Sequence, residues 1–471
     1  MPPGQTAFSK LKQQLVMVQS VNPYNNEVIG KYEATSIEEL DAMLTGAQQA
    51  FAIWRKTGFD DRSHFLKKLA SNLRDNKEEY ATLISREMGK VIKGSRKEVD
   101  KSAMALEYFA KHGEDYLKER QTDTGDGEGR VIYEPLGVIL GIMPWNFPFW
   151  QFFRFAATTL MAGNTIILKH SSNVPACAKK IEEIFERTDF PDGVFQNMVI
   201  SSSKINNIIK DFRVQGVSLT GGLEAGSDVA LHAGKHIKKT VLELGGNDPF
   251  IVLEDADVKK AAKAGVKSRM KNFGQACNAA KRFIVHESLA DEFLLEFKKE
   301  MEKQKFGDPL DDNSDFASLA SRDQKNILEK QVAQSIDKGA KLYWKGNQAP
   351  EKDAFFNPMI LTGIKPDMPA YHEELFGPVA SVFTVSDGLE AARLANDSDY
   401  GLGASIWTRE IERGWKFARE IEAGIIYINA PVRSRPELPF GGTKKSGLGR
   451  EMAGEGSREF TNKKSLWYTL K

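Results

Sequence analysis

The chain has 471 residues, of which 41% are hydrophobic and 27% are charged, and its formal net charge is +1 at pH 7. This length allows two or three domains of ordinary globular composition, and the near-neutral charge gives no reason to expect nucleic acid or a membrane as a partner. The only two cysteines, Cys177 and Cys277, cannot form a disulfide framework or a cysteine-rich metal site, and they fit a reducing compartment, so we expect a cytoplasmic protein.

The amino-terminal part of the chain is predicted to be helical after a short leader. Residues 1–16 contain lysines but no long apolar core, so we interpret them as a disordered leader or as sequence upstream of a start at Met17, and not as a secretory signal. Ser36 and Glu39 have the spacing of a capping box, which predicts a helix that runs to about Trp54. Apolar residues at three- and four-residue spacing predict further helices at about 60–76, 77–88 and 91–117.

A charge-free stretch runs from residue 135 to residue 153, after a polar segment at 121–129 that we interpret as a turn or an exposed hairpin. The stretch is long enough to suggest a membrane span, but Pro144, Asn146 and Pro148 within it argue against a helix that faces lipid. We therefore predict a buried strand, a tight turn and a buried helix.

From residue 138 onward, short β-branched runs alternate with helical stretches, which is typical of parallel sheets with crossover helices. A first set of strands is predicted at 138–143, 165–169, 216–220, 240–244 and 250–253, and a second set at 282–286, 379–385, 404–408 and 424–429. The pattern predicts two α/β domains in tandem that join near residues 245–247. The seven histidines show no metal-ligand spacing, so no metal is expected.

Three side chains have a character that suggests catalysis. Cys277 has polar and flexible neighbours, and its thiolate would be a natural nucleophile for a carbonyl, although a lone cysteine is by default a buried hydrophobe. Glu243 interrupts an apolar strand, so it is either a general base with a raised pKa or half of a buried ion pair. Asn146 stands between two prolines and is either a rigid oxyanion donor or a turn residue.

A glycine-rich turn at 220–226 connects a predicted strand to a predicted helix, a position that suits phosphate contact at a helix amino terminus. It is not the glycine fingerprint of dinucleotide-binding folds, so on its own it is a weak indication. Cys177 has apolar spacing on another predicted helix, and we interpret it as core packing.

A set of short motifs follows in order along the chain: Pro-Trp-Asn-Phe-Pro (144–148), Leu-Lys (168–169), Thr-Gly (220–221), Glu-Leu-Gly-Gly (243–246), Gly-Gln-x-Cys (274–277), Glu-Glu-Leu-Phe-Gly-Pro (373–378), Pro-Phe-Gly-Gly (439–442) and Lys-Ser-Gly-Leu-Gly-Arg-Glu (445–451). Taken in this order, the motifs resemble the aldehyde dehydrogenase superfamily, and the resemblance extends from about residue 20 to the carboxyl terminus. So many separated motifs would very rarely occur in this order by chance.

The resemblance implies a role for each of these residues. Cys277 would attack an aldehyde to form a thiohemiacetal, and Asn146 with the Cys277 backbone N–H would hold the oxyanion. Hydride transfer to a nicotinamide cofactor would leave a thioester, and Glu243 would activate the water that hydrolyses it. The residues implied in cofactor binding are Lys169 at the adenosine ribose, Glu374 at the nicotinamide ribose, Phe376 near the nicotinamide, and Trp145, Gly221 and Leu244 along the cleft.

The resemblance also implies an α/β fold with a Rossmann-like cofactor domain, an α/β catalytic domain and a small β element for oligomerisation. The cofactor domain would comprise residues 17–117 and 134–244, and the catalytic domain residues 245–441. The oligomerisation element would comprise residues 118–133 and 455–471. A homodimer or homotetramer is expected.

Two departures from the family pattern concern the cofactor. Many NAD-preferring members carry glutamate three residues after the lysine, where this chain has Ser172. Without that carboxylate a 2′-phosphate is not repelled, so NADP should be tolerated or preferred over NAD. The usual Thr-Gly-Ser is Thr-Gly-Gly here, so Gly222 lacks a hydroxyl expected near the phosphates, which argues for weaker cofactor binding.

Further positions resemble the bacterial succinate-semialdehyde dehydrogenases. Arg154 interrupts an apolar helix where those enzymes carry an arginine, and Ser434 follows Asn429 by five residues as their serine does. Both side chains would bind the carboxylate of the substrate. The arginine that some members carry before the asparagine of the cysteine motif is Lys271 here, which keeps the charge but not the fork geometry.

Other interpretations remain open at this point. Arg154 could be a structural arginine paired elsewhere, and Trp150, Phe152 and Phe153 could form a pocket for an aryl or aliphatic aldehyde. A CoA-acylating enzyme is a further alternative, which the presence of Glu243 argues against. A catalytically silent homologue with a structural or binding role is another, which the complete set of predicted catalytic residues argues against.

Overall fold

The computed structural model describes residues 17–469, so the predicted leader at 1–16 and residues 470–471 lie outside the described residues. The helices are α1 (Ile37–Trp54), α2 (Phe59–Asp75), α3 (Lys77–Met88), α4 (Ile92–Leu117), α5 (Pro148–Met161), α6 (Pro175–Arg187), α7 (Ile205–Ile209), α8 (Leu223–Lys235), α9 (Val258–Arg269), α10 (Ala290–Glu302), α11 (Arg322–Asp337), α12 (Pro369–His372), α13 (Gly388–Asn396), α14 (Ile411–Ala418) and α15 (Ala453–Ser457). The strands are β1 (Met17–Val21), β2 (Val28–Glu33), β3 (Arg120–Asp123), β4 (Gly127–Pro135), β5 (Val138–Met143), β6 (Thr165–His170), β7 (Phe195–Met198), β8 (Val214–Thr220), β9 (Lys239–Glu243), β10 (Pro249–Val252), β11 (Arg282–His286), β12 (Lys341–Lys345), β13 (Met359–Thr362), β14 (Val379–Val385), β15 (Tyr400–Gly401), β16 (Gly403–Trp407), β17 (Ile425–Ile428), β18 (Thr443–Lys444), β19 (Gly447–Leu448) and β20 (Thr461–Thr469).

The predicted capping box starts α1. The Ser36 hydroxyl accepts a hydrogen bond from the Glu39 N–H at 3.1 Å, and the Glu39 carboxylate accepts one from the Ser36 N–H at 2.7 Å. Two N–H groups near the helix start are thereby satisfied. The helices predicted at 60–76, 77–88 and 91–117 are confirmed as α2, α3 and α4, with ends that differ by at most one residue.

The first large sheet has the strand order β19-β9-β8-β5-β6-β7. The five strands from β9 to β7 are parallel, whereas β19 pairs antiparallel with β9 and sets Gly447 opposite Glu243. Alternate residues of β5 and β6 enter two apolar cores, one shared with α4 and α5 and the other with α1 and α8. Burial on both faces explains why these strands read as continuous apolar runs. Because the strands are parallel, the segments that follow β5, β6, β8 and β9 lie close together at the end of the sheet formed by the carboxyl ends of these strands.

The second large sheet has the strand order β12-β13-β14-β11-β10-β16-β17. Neighbouring strands are parallel except for the antiparallel pair β12 and β13. The strands predicted at 282–286 and 379–385 coincide with β11 and β14. The predicted α/β class with parallel sheets is confirmed, and its second sheet supports the loop that carries Cys277.

A third sheet, β20-β4-β3, is antiparallel and stands apart from the two larger sheets. Its edge strand β20 leaves Leu466, Trp467 and Tyr468 45–56% exposed. The polar segment at 121–129 forms the turn between β3 and β4 together with their adjoining ends. The division of the chain into three domains stays a prediction.

The charge-free stretch at 135–153 contains β5, a turn and the start of α5, as predicted. In residues 17–469 no helix is long and apolar enough to cross a membrane. Over the same range, no cluster of three or more His, Cys, Asp or Glu side chains could hold a metal ion. The short strands β1, β2 and β7 were not predicted, because polar residues interrupt the apolar pattern in each of them.

Candidate active site

A cavity of about 210 Å³, which we call the Cys277 cavity, lies between α4, α5 and the loop after α9. It brings together Cys277, Arg154 and Ser434, which the sequence analysis singled out from three distant segments. The residues that line it are Gly89, Lys90, Val91, Gly94, Lys97, Glu98, Lys101, Phe147, Trp150, Gln151, Arg154, Met270, Lys271, Asn272, Phe273, Gln275, Cys277, Asn278, Asp315, Phe316, Ala317, Ser434 and Phe440.

The loop before Cys277 has an unusual backbone. Asn272, Phe273 and Gly274 have φ angles of 50°, 54° and 78°, in the left-handed region that residues with a Cβ seldom adopt. A Cβ added to Gly274 would lie 2.2 Å from backbone atoms of Gly377, so only glycine fits there. The loop turns sharply and leaves the Cys277 side chain partly exposed at the cavity wall.

The surroundings of Cys277 keep its thiol protonated in the free protein. Burial raises the pKa of the Cys277 thiol to about 11, against the opposing effect of Lys281 and Arg154. Lys281 is buried, donates to the backbone oxygens of Ala276 and Cys277, and forms an ion pair with Glu374 at 2.9 Å. Because the thiolate is the nucleophilic form, the proton must leave before or during any attack by this sulfur.

The other cysteine, Cys177, is fully buried on α6, and burial raises the pKa of its thiol well above the usual value. Its backbone N–H donates to the Glu87 carboxylate at 2.7 Å. These surroundings agree with the interpretation of Cys177 as a packing residue.

Asn146 lies in the turn between β5 and α5 and is fixed against the Cys277 loop. Its side-chain N–H₂ donates to the backbone oxygen of Gln275 at 3.1 Å. Its backbone oxygen accepts from Lys90 Nζ at 2.8 Å and from the Asn272 side chain at 2.9 Å. The side-chain amide of Asn146 is thus held next to the loop that carries Cys277, with one of its two N–H donors bound to Gln275, and its role as an oxyanion donor stays a prediction.

A buried ion pair between Lys90 and Glu98 supports this turn. The two side chains are 2% and 1% exposed and are in direct contact. Glu98 Oε1 also accepts from the N–H groups of Phe149 and Trp150, at 2.9 and 3.1 Å, in the first turn of α5. Because Lys90 also holds the backbone of Asn146, one buried pair fixes both the start of the helix and the turn before it.

Glu243 ends β9 with a buried carboxylate, and neither oxygen has a hydrogen-bond partner. It does not line the Cys277 cavity but sits against the backbone of Gly441. Burial, and then the negative charge of Glu451, raise the pKa of Glu243 well above its usual value. The expected alternative, a buried ion pair with a lysine, is not formed by Glu243 in the described residues.

Arg154 lines the Cys277 cavity and also forms an ion pair within the chain. Its side chain is 1% exposed and is ion-paired with the buried Glu451, and the Phe440 ring lies 4.7 Å from its guanidinium carbon. Burial raises the pKa of Glu451, whereas Arg154 lowers it. Arg154 Nη2 remains buried without a hydrogen-bond partner. Both interpretations of Arg154 thus find support in its contacts, and its role as a substrate anchor stays a prediction.

Ser434 comes from the loop after β17 and accepts a hydrogen bond from Lys101 Nζ at 2.5 Å. The same ammonium lies 3.9 Å from the centre of the Trp150 ring. Phe152 and Phe153 are fully buried in the core around α5 and do not line the Cys277 cavity. Of the three aromatic residues proposed for an aryl pocket, only Trp150 lines the Cys277 cavity.

Lys271 is a further basic side chain at the Cys277 cavity. Its Nζ donates to Asn278 Oδ1 at 3.0 Å, and burial lowers the pKa of Lys271 to about 8.

The residues predicted to bind the nicotinamide end of a cofactor lie around the ends of β5 and β9. The rings of Trp145 and Phe376 meet edge to face with centroids 5.7 Å apart. Glu374 Oε1 accepts from the Gly246 N–H at 3.2 Å, directly after β9. Leu244 is buried at the same edge of the sheet.

The residues predicted to bind the adenosine end lie at the carboxyl end of β6 and directly after β6 and β8. Lys169 Nζ donates to the Ser202 hydroxyl at 3.2 Å, burial lowers the pKa of Lys169, and Ser172 is exposed three residues later. Gly221 and Gly222 precede α8, where Gly222 caps the helix without a side-chain hydrogen bond and has open space where a Cβ would stand. The free N–H groups of this helix and the open space fit a phosphate group.

Several residues of the site were missed by sequence reasoning. Glu98 and Lys101 lie on a strongly charged helix, α4, where charged side chains usually face solvent, so their burial gave no signal. Glu451 belongs to the last motif of the resemblance but was given no role. The sequence signal for Lys281 was its position four residues after Cys277. A lysine at such a spacing is too common to be interpreted alone.

Comparison with known proteins agrees with the fold and with the order of the motifs. The chain matches the model of the aldehyde dehydrogenase family over residues 11–466. It is 44% identical to a probable succinate-semialdehyde dehydrogenase, NADP(+), from Synechocystis, and 41% identical to succinate-semialdehyde dehydrogenase, NADP(+), 1 from Mycobacterium tuberculosis. In both cases the match covers 96% of this chain and 99% of the relative.

A solved structure of succinic semialdehyde dehydrogenase from Streptococcus pyogenes, in complex with NADP+, superimposes with a TM-score of 0.94. It is 36% identical over 96% of this chain and 100% of that chain. The predicted family is therefore confirmed: this chain belongs to the aldehyde dehydrogenase family and is an NAD(P)-dependent oxidoreductase that acts on aldehydes.

Proposed function

We propose that this enzyme oxidises succinate semialdehyde to succinate with NADP as the hydride acceptor. The observation that carries the proposal is the charge of the Cys277 cavity. Its wall holds more basic than acidic side chains, and Lys101 and Lys271 form no ion pair in the described part of the chain. An aldehyde whose other end is a carboxylate would balance that charge. The names of the relatives from Synechocystis and Mycobacterium tuberculosis, which include this substrate and NADP(+), also support it.

In the proposed reaction, Cys277 Sγ bonds to the aldehyde carbon while its proton leaves, which gives a thiohemiacetal. Asn146 Nδ2 and the Cys277 N–H donate to the oxyanion. The bound cofactor supplies the hydride acceptor. Glu243 takes a proton from the water that hydrolyses the resulting thioester, which releases the acid and restores the thiol. One aldehyde, one water and one oxidised cofactor thus give one carboxylate, one reduced cofactor and two protons.

The buried surroundings of Glu243 support its role as the base. Because burial raises the pKa of Glu243 well above the usual value, its carboxylate is a stronger base once it has lost its proton. Its two oxygens have no competing hydrogen-bond donor within the described residues, so they are free to accept one from water.

We propose that the cofactor binds along the edge of the first sheet. The absence of a carboxylate at position 172 supports NADP, and the uncapped start of α8 supports a phosphate site. The residues proposed to hold the cofactor are Lys169, Ser172, Gly221 and Gly222 at the adenosine and phosphate end, and Trp145, Leu244, Glu374 and Phe376 at the nicotinamide end.

The substrate carboxylate is proposed to bind Arg154 and Ser434. Both side chains line the Cys277 cavity, and Arg154 Nη2 is buried with no acceptor of its own. A charged acceptor would satisfy that donor, which otherwise costs about 1–3 kcal/mol when buried unpaired.

We further propose a cytoplasmic homodimer or homotetramer with the three domains expected from the sequence. Its two cysteines are both free thiols, which supports a reducing compartment. The exposed apolar side chains of β20 support a contact with a second copy of the chain.

Initial rates with succinate semialdehyde, butanal and benzaldehyde, each with NADP and with NAD, test the proposal. We expect kcat/KM for succinate semialdehyde to exceed that for butanal, which has the same number of carbons, by at least about tenfold, or about 1.4 kcal/mol. NADP should give the higher kcat/KM. Cys277→Ser should reduce no cofactor, and Glu243→Gln should form about one equivalent of NADPH per site and then stall, because the thioester is not hydrolysed.

Other outcomes point to the alternatives. A preference for benzaldehyde would favour an aryl aldehyde dehydrogenase. A requirement for CoA would favour an acylating enzyme, and failure to oxidise any aldehyde would favour a silent homologue.

A further inference from the structure

We infer that Lys101 is the main charged anchor for the substrate carboxylate in the Cys277 cavity, and that it acts together with Ser434. This inference rests on the proposed function, because it concerns how the same cavity selects an aldehyde with a carboxylate end. Lys101 had no place in the sequence resemblance, where Arg154 was the expected anchor.

The geometry around the Lys101 ammonium leaves room for an acceptor. Lys101 lies on α4 and donates one hydrogen bond, to Ser434 Oγ at 2.5 Å. Its Nζ also lies 3.9 Å from the centre of the Trp150 ring, a distance at which the ring face stabilises a cation. An ammonium has three donors, so two remain for a ligand. Since Ser434 and Lys101 line the same cavity and touch each other, a single carboxylate can bond to both.

Lys101 and Arg154 differ in whether a neighbouring carboxylate balances their positive charge. The charge of Arg154 is balanced by the buried carboxylate of Glu451. Within residues 17–469, Lys101 has no ion pair, and the charged side chains that act on it include the positive Lys271 and Arg154 and the negative Glu98, which is already paired with Lys90. Burial, Lys271 and Arg154 lower the pKa of Lys101 well below its usual value, against the opposing effect of Glu98. An incoming carboxylate would relieve this unfavourable environment, whereas at Arg154 it would have to compete with Glu451.

The cavity also offers a matched control. Lys97 lies one helical turn before Lys101 on α4 and also lines the cavity, but its side chain is exposed. An exposed ammonium contributes little to binding, because water screens its charge. Removal of its charge therefore measures the general effect of one exposed positive charge at the cavity.

The test compares Lys101→Met with Lys97→Met in the full-length enzyme. Methionine keeps an unbranched side chain and removes the charge. We expect Lys101→Met to lower kcat/KM for succinate semialdehyde by about 10- to 100-fold, the usual effect of losing a charged hydrogen-bond partner, and to change kcat/KM for butanal by less than about twofold. Lys97→Met should change both values by less than about twofold, and Lys101→Arg should restore part of the preference.

Inhibition by succinate gives a second measurement that does not depend on oxidation of the semialdehyde. Butanal is the substrate, and the inhibition constant of succinate is measured in the wild type and in Lys101→Met. We expect succinate to bind at least about tenfold more weakly to the variant. Equal inhibition constants, or equal losses of kcat/KM with both aldehydes, would overturn the role of Lys101.

Failure of the proposed function has a different signature. A wild-type enzyme that oxidises succinate semialdehyde no better than butanal would overturn the proposed substrate. In that case the inhibition constants of succinate still decide whether Lys101 binds a carboxylate.

Discussion

A single exposed residue, Ser172, is expected to determine which cofactor the enzyme prefers. The Ser172→Glu variant would bring a carboxylate near the 2′-phosphate of NADP, and two like charges about 4 Å apart near a protein surface repel each other by about 1–4 kcal/mol. We predict that kcat/KM with NADP falls at least about tenfold, whereas kcat/KM with NAD is kept or increased. Steady-state rates with both cofactors measure this ratio.

The matched control is Ser172→Gln, which has the same length as the glutamate variant but no charge. It should change the preference far less. Equal losses with NAD and NADP in Ser172→Glu would show that the position does not discriminate between the two.

At the scale of single residues, the sequence revealed those side chains that stand in recognisable local motifs, such as Cys277 and Asn146. It could not reveal a role that depends on a partner far away in the chain. Lys97, Glu98 and Lys101 are all charged and lie close together in the sequence, yet Lys97 is exposed while Glu98 is buried in an ion pair. Only the packing of α4 against α5 separates them.

The buried ion pair of Lys90 with Glu98 fixes the segment before α4 to α4 itself, and Glu98 also accepts from the first turn of α5. We predict that Glu98→Gln lowers stability by about 3–5 kcal/mol, because the Lys90 charge would lose its buried partner. For a domain of about 150–250 residues this corresponds to a fall in Tm of about 6–20 °C. Thermal unfolding followed by circular dichroism would measure it, and activity should fall as well, since Lys90 holds the backbone of Asn146.

The control is Glu107→Gln, the same substitution on the same helix. Glu107 is exposed and pairs with Arg74 on the surface, so its loss should cost no more than about 1 kcal/mol. Similar changes in Tm for the two variants would show that the buried pair has no special role.

At the scale of elements, the sequence predicted best the strands and helices whose periodicity follows from burial. The charge-free stretch at 135–153 predicted β5 and the start of α5 correctly, because an apolar run indicates the buried elements and prolines indicate the turn between them. The edge strands β1 and β2 were missed, since they are half-exposed and alternate weakly. The backbone of Asn272 and Phe273 was also beyond prediction, because a positive φ at such residues is imposed by tertiary packing.

At the scale of the whole molecule, β20 exposes apolar side chains that suit a contact with a second copy of the chain. We predict that the wild type is a dimer or larger at micromolar concentration, and that Trp467→Asp shifts it towards the monomer, because a charge in an apolar interface is costly to bury. Light scattering coupled to size-exclusion chromatography measures the mass. Phe212→Asp is the control, because Phe212 is also aromatic and is 75% exposed but lies in the loop between α7 and β8 and not on β20. An unchanged mass in Trp467→Asp would contradict the assignment of this strand to the interface.

The late part of the chain completes structures that its early part begins. Phe440 lines the Cys277 cavity, β19 extends the first sheet beside Glu243, and Glu451 pairs with Arg154. During synthesis on the ribosome these residues emerge after all those that precede them, so a nascent chain can fold its first helices and strands but cannot assemble the complete cavity. Catalytic activity should therefore appear all at once, after translation has passed this segment, and a chain whose synthesis stops before residue 440 should be inert towards aldehydes however well its earlier part has folded.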